Sequence, residues 1–97
     1  MEEGVLTMTL EELTSLAERC LEIVKDKSEM LEGCMMDALT AGEPESAIND
    51  ALDIAYEHPE LYSEFPDEVY ELAKDPDYTM IHPYLDLLER YRNGKTA

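Results

Sequence analysis

Apolar residues recur at steps of three and four along most of this sequence, the spacing that places side chains on one face of an α-helix. Thr9 and Glu12 stand at the start of the first such segment in the pattern of a capping box, in which each side chain binds a free backbone amide. We therefore predict a first helix after Thr9, with residues 1–8 frayed ahead of it. Its apolar positions are Leu10, Leu13, Leu16, Ala17, Cys20, Leu21 and Val24.

Residues 25–28 interrupt this pattern, and Ser28 is a suitable N-cap for a new helix. We predict a break here; the alternative is one long helix running to Ala41. Gly42 is a suitable left-handed cap for the end of the second helix. Gly33 weakens that helix by ~1 kcal/mol relative to alanine, and we interpret it as a mark of close helix packing. The apolar positions are Leu31, Cys34, Met35, Ala38 and Leu39.

Prolines mark the starts of the remaining segments. Pro44 opens a third helix, which should end at His58 because the residue before a proline is disfavoured in the helical region. Its apolar stripe is narrow and consists of Ala47, Ile48, Ala51, Leu52 and Ala55. Pro59 begins a turn or short helix, and Pro66 takes the first position of a fourth helix.

Residues 75–77 form a loop, and a last amphipathic helix follows His82 and Pro83 and ends at Asn93-Gly94, with 95–97 as a frayed tail. No segment shows the alternation of a strand. A chain of 97 residues forms one domain with one core. The prediction is therefore an all-α fold, a compact bundle of four to five short helices over 1–97.

The charge is strongly one-sided, with 24 acidic residues against 7 basic ones and a net charge of −17. Residues 28–73 contain no Lys or Arg. Such crowding destabilises a compact state, so a saline environment or a basic partner should offset it. Nucleic acid and anionic membranes repel this chain and are excluded as direct partners. The carboxylates of this acidic stretch are Glu29, Glu32, Asp37, Glu43, Glu45, Asp50, Asp53, Glu57, Glu60, Glu64, Asp67, Glu68 and Glu71.

Part of the acidic stretch steps by threes and fours, as the positions of a helical face do. If residues 28–73 are helical, their carboxylates follow one another at an average of roughly 5 Å along the helix axes, compared with ~3.4 Å for the phosphates of one DNA strand. This charge density permits imitation of a phosphate backbone but does not require it. We predict that these residues bind a partner: Asp50, Asp53, Glu57, Glu60, Glu64, Asp67, Glu68 and Glu71.

Nothing in the sequence selects a catalytic, cofactor or metal site. Cys20 and Cys34 lie on predicted apolar faces, which indicates reduced core thiols of low reactivity. His58 and His82 each precede a proline, where an imidazole helps to close a turn. We expect no enzyme activity, no cofactor and no metal. The chain start lacks the basic and apolar regions of a signal peptide, and no apolar run could span a membrane, so we expect a cytoplasmic protein.

The methionines and tyrosines leave two interpretations open. Met30, Met35 and Met36 either fill gaps in the core or form an adaptable contact surface. The six tyrosines lie in the second half of the chain and divide between core and interface.

Together these features favour a small acidic regulator or inhibitor that docks on a basic, often nucleic-acid-binding, protein. DNA mimics, anti-CRISPR proteins and toxin-immunity proteins are analogous in size and charge only. The alternative is a helical adaptor or oligomerising subunit, including a homo-oligomer, with a merely solvated acidic surface.

Overall fold

Five α-helices and two 3₁₀ segments account for most of residues 8–96, the part that the computed structural model describes, with side chains as far as Tyr91. No strand occurs in this part of the chain, so the all-α prediction is confirmed. The helices are α1 (Leu10–Val24), α2 (Glu29–Thr40), α3 (Pro44–Tyr56), α4 (Asp67–Lys74) and α5 (Leu85–Thr96), and the 3₁₀ segments are Pro59–Glu64 and His82–Tyr84.

The predicted capping box opens α1. The Glu12 amide donates to the Thr9 hydroxyl at 3.1 Å, and the Thr9 amide donates to the Glu12 carboxylate at 2.9 Å. Two backbone donors that have no partner within the helix are thereby satisfied.

The break between α1 and α2 is also confirmed, so residues 10–41 form two helices. Asp26 has a positive φ of 68°, which turns the chain out of α1. Ser28 then caps α2 through the Leu31 amide at 3.4 Å. At the other end of α2, Gly42 takes the predicted left-handed conformation with a φ of 77°. The chain can therefore reverse and bring α3 back against α2.

The central helix is α3, on which both α1 and α2 pack. Ala47, Ala51 and Ala55 recur every four residues and are fully buried, and such small side chains let neighbouring helices approach closely. Ile54 is also buried, which makes the inner face of α3 wider than the narrow stripe that we predicted. On the other side of the molecule, α5 packs on the Pro59–Glu64 segment and on α4.

Three predictions for α1 and α2 were wrong. Leu10 is 60% exposed, and the buried positions of α1 begin only at Leu16. Cys34 is exposed, because the inner face of α2 is centred on Met35 and Ala38 and leaves Cys34 outside its edge. A Cβ on Gly33 would meet nothing within 4 Å, so this glycine does not mark close packing within the described chain.

Three boundaries differ from prediction, and the first is the end of α3, which lies at Tyr56 instead of His58. Pro66 is the N-cap of α4 instead of its first residue. The last helix, α5, does not end at Asn93-Gly94 but continues to Thr96. Of the ends that we expected to fray, residues 1–7 and 97 lie outside the described residues, and Met8 packs against the core.

The molecule is thin as well as compact. Its radius of gyration is 12.8 Å, close to the roughly 12.5 Å expected for a single domain of this length. Its shortest dimension is 18 Å, only about twice the spacing between the axes of packed helices. A bundle this thin leaves an outward face on the helices that flank α3, and those faces are where a function could reside.

Candidate functional site

The carboxylates of the acidic stretch all lie at or near the surface. None of the thirteen between residues 28 and 73 is buried, and no buried polar or charged side chain occurs anywhere in the described part of the chain. The eight predicted contact residues fall into three neighbourhoods, which follow α3, the 3₁₀ segment and α4 in turn.

Asp50 and Asp53 form the first neighbourhood, on α3. The Tyr84 hydroxyl, which lies beside the start of α5, donates a hydrogen bond to the Asp53 carboxylate. Partial burial and the adjacent charge of Asp53 raise the pKa of Asp50. Burial and the bond to Asp53 raise the pKa of Tyr84. Asp53 therefore helps to hold the His82–Tyr84 segment against α3, in addition to any part in binding.

Glu57, Glu60 and Glu64 form the second neighbourhood, at the end of α3 and along Pro59–Glu64. All three are exposed, and no described cation lies within ion-pair distance of them. Because no described cation or side chain binds their carboxylates, their charge is the most available of the eight to a partner.

The third neighbourhood is α4, where two carboxylates already have cationic partners. Glu68 lies 3.4 Å from the Arg19 guanidinium of α1, and Glu71 lies 3.3 Å from the Lys74 ammonium. The third member, Asp67, is exposed in the first turn of the helix. Half-exposed pairs of this kind contribute ~0–1 kcal/mol, so a stronger partner could displace them.

A shallow groove of about 430 Å³ lies between α1 and α4. Its lining residues are Met8, Glu11, Glu12, Ser15, Leu16, Arg19 and Glu68. The deep pocket with a buried carboxylate or histidine that would indicate an enzyme is not found among the described residues. That the protein is not an enzyme stays a prediction.

The remaining titratable groups have structural surroundings. Burial raises the pKa of Cys20 to about 12, so its thiol stays protonated at neutral pH. The His82 ring donates through Nδ1 to the Ala73 carbonyl, with 2.7 Å between the two atoms, which closes the turn after α4 as predicted. No group of three or more His, Cys, Asp or Glu able to hold a metal occurs in residues 8–91.

The tyrosines include both buried and exposed side chains. Tyr62 is buried, donates to the Leu52 carbonyl at 3.0 Å and stacks on Tyr91 with 5.7 Å between ring centroids. Tyr56, by contrast, is 63% exposed at the end of α3.

The methionines of α2 divide in the same way, and the sequence did not predict which of them are exposed. Met35 is buried, whereas Met30 is 76% exposed and Met36 is 53% exposed. Gly33 lies between these two, three residues from each, and Cys34 is exposed beside it. Our interpretation of Gly33 as a mark of close packing was wrong, whereas for the methionines a contact surface is one of the two interpretations that the sequence leaves open.

The described chain contains no helix that is both long and apolar enough to cross a membrane. Comparisons of the protein with family models, with curated sequences and with solved structures gave no match.

Proposed function

We propose that this protein is a small acidic regulator or inhibitor, acting in the cytoplasm, that docks exposed carboxylates on a basic surface of another protein. A protein that binds nucleic acid presents such a surface. In this proposal the protein performs no catalysis and needs no cofactor.

The observation that supports the proposal is the surface position of an entire one-signed stretch. Residues 28–73 build α2, α3 and most of α4, contain no Lys or Arg, and bury none of their carboxylates. Like charges on such a surface repel one another, and a cationic partner would relieve that repulsion on binding.

The least engaged carboxylates define the centre of the proposed contact. Glu57, Glu60 and Glu64 have no described cation near them, and Glu71 has only the exposed Lys74. By comparison, Asp53 accepts the Tyr84 hydroxyl and Glu68 bridges to α1, so both also serve the fold.

A pull-down from the native host, carried out at low and at high salt, would identify the partner. Raising the salt from about 0.1 M to about 1 M shortens the Debye length from ~10 Å to ~3 Å, so charge-driven binding should weaken steeply. Affinity that stays flat over this range would favour the alternative function, a helical adaptor or oligomerising subunit.

A charge-reversal variant then locates the contact. We expect E57K/E60K/E64K/E71K to abolish binding to that partner and to leave the helical fold intact. The matched control reverses four exposed carboxylates outside the proposed contact, as E18K/E22K/D77K/D86K. Because both variants change the net charge equally, equal losses of affinity would mean that net charge, and not this surface, governs binding.

A further inference from the structure

The outward face of α2 combines two exposed methionines and a glycine with two exposed carboxylates, Glu29 and Asp37. At about 100° per residue, Met30, Gly33 and Met36 fall within an arc of about 120°, with Gly33 at its middle. Cys34 borders this arc on one side. All four positions are exposed, whereas the inner face packs on α3. We call Met30, Gly33, Cys34 and Met36 the methionine face.

Nothing within the described chain accounts for this face. The two methionines lie on the side of α2 that turns away from the core, and Gly33 has nothing within 4 Å of its would-be Cβ. Glycine in an exposed helical turn costs ~1 kcal/mol relative to alanine. Gly33 places no side chain between the two exposed methionines, and methionine adapts its shape to apolar contacts.

The charges around the face determine what can cover it. Glu29 and Asp37 share the outward side of α2, and Glu32 and Glu43 lie nearby along the chain. The next cation along the chain after Lys27 is Lys74. A second copy of this chain would bring the same carboxylates against these and would be repelled, since each chain carries a net charge of −17. A cationic partner would instead be attracted.

We propose that the methionine face is the docking site for a basic amphipathic helix of a partner protein. Apolar residues of that helix would contact Met30 and Met36 on either side of Gly33, and its lysines or arginines would lie against the carboxylates of α2. The inference rests on the proposed function for the sign of the partner's charge. It adds that the partner presents a helix, and that this helix binds a second contact surface through apolar side chains as well as charge.

A designed peptide tests this binding chemistry directly. The probe is a fluorescein-labelled peptide of about 18 residues, made of lysine and leucine with the leucines at helical spacing. A second peptide has the same composition in an order that leaves no leucine face. Fluorescence anisotropy at about 0.15 M salt should show that the amphipathic peptide binds about tenfold or more tightly than the scrambled one.

Two variants locate the contact on the protein. M30Q/M36Q removes the apolar groups without changing charge, and we expect it to weaken binding of the amphipathic peptide about tenfold. M80Q is the matched control, because Met80 is also exposed but lies outside α2, and it should bind as the parent protein does. Circular dichroism and the melting temperature check that both variants fold.

The protein carries its own reporter for this face. Cys34 is exposed within it, whereas Cys20 is buried, so a thiol reagent should react with one cysteine per chain. Saturating amphipathic peptide should slow the reaction of Cys34 about tenfold or more. The scrambled peptide should leave its rate unchanged.

Each contrary outcome has a distinct meaning. If E57K/E60K/E64K/E71K loses the peptide while M30Q/M36Q keeps it, docking is by charge alone; the inference is then wrong and the proposed function stands. The inference is also wrong if the amphipathic peptide does not bind, or if it binds without slowing the reaction of Cys34. The proposed function is then still tested by the salt dependence of binding to the native partner. If Cys34 becomes reactive only on dilution, and sedimentation shows a dimer, a second copy covers the face and the basic helix is excluded.

Discussion

The helices α1 and α2 pack on the same central helix yet present different surfaces to solvent. Their inner faces are alike, with Leu16 of α1 and Met35 of α2 both buried against the core. Outward, both helices carry carboxylates, such as Glu18 of α1 and Glu29 of α2, but α2 also carries the exposed Met30. The packing of α2 on α3 uses its inner face, so the exposed methionines of α2 are not explained by that packing.

The two helices also differ in how well their own sequences support them. The start of α1 has a reciprocal capping box between Thr9 and Glu12. At the start of α2 the bond from the Leu31 amide to the Ser28 hydroxyl is long, at 3.4 Å, although the Glu32 carboxylate also accepts from the Asp26 amide. Gly33 lowers the helix propensity within α2. The formation of α2 therefore depends more on packing, and a partner on its outer face would stabilise the weaker helix.

The largest expected effects come from the inner faces. We expect L16A in α1 and M35A in α2 each to lower the free energy of unfolding by roughly 2–5 kcal/mol, because both side chains are fully buried. Because α2 is the less supported helix, M35A should in addition remove amide-exchange protection from α2 at lower denaturant than from α1. Urea titration followed by circular dichroism measures the first effect, and hydrogen exchange measures the second. Equal loss of protection in both helices would remove the distinction between them.

The helix caps should give the next largest effect. T9A removes the hydroxyl that accepts the Glu12 amide, and we expect a loss of about 0.5–2 kcal/mol. S28A should cost less, because the bond from the Leu31 amide is already 3.4 Å long. Thermal unfolding of the two variants measures the order. A larger loss for S28A would show that α2, and not α1, is the helix that depends on its cap.

Replacing Gly33, within α2, and Gly42, just after it, by alanine should change the stability of the protein in opposite directions. We expect G33A to raise stability by roughly 0.5–1 kcal/mol, because the position is helical and exposed and has room for a methyl group. G42A should lower stability by about 1–2 kcal/mol, because its φ is 77°. Chemical denaturation checks both. If G33A also weakens binding of the amphipathic peptide, the glycine is retained for contact at the expense of stability.

Capping and turn residues in the sequence were enough to predict the helix boundaries from the start of α1 to the start of α3. The capping box at Thr9, the cap at Ser28, the left-handed Gly42 and the proline at the start of α3 each act over a few residues, so a single sequence contains the information. The placement of Cys34 failed for the opposite reason. It lies at the edge of an apolar stripe, and which edge faces inward depends on how α3 is oriented.

The candidate site was predictable in charge but not in contacts. Arg19 meets Glu68 across 49 residues of sequence, and Tyr84 meets Asp53 across 31. Such pairs form only when the helices assemble, and no spacing rule identifies them. The sequence therefore predicts that the carboxylates are many and exposed, and the structure adds which of them are already engaged with the rest of the fold.

The smallest expected effect concerns the charges that distinguish α1 from the acidic stretch beginning at α2. Burial and the charge of Asp53 raise the pKa of Asp50 above 3.8, so the folded state holds this proton more tightly than the unfolded state does. Stability from this group is therefore present below pH 3.8 and is lost as pH rises through the higher folded pKa. At pH 7 the carboxylate is ionised and unfavourable, so D50N should modestly stabilise the protein there.

The gain from D50N should disappear as pH falls below the unfolded pKa of 3.8, where Asp50 is protonated in both states. E22Q is the control on α1, because Glu22 is exposed and Lys25 follows it by three residues. We expect E22Q to change stability by less than ~0.5 kcal/mol at pH 7. Urea denaturation of D50N and E22Q between pH 7 and pH 3.8 measures how much each substitution changes stability. If E22Q stabilises the protein as much as D50N does, charge repulsion is spread over the whole molecule. The acidic stretch 28–73 then destabilises the fold no more than other regions do, and a partner bound there would relieve no particular repulsion.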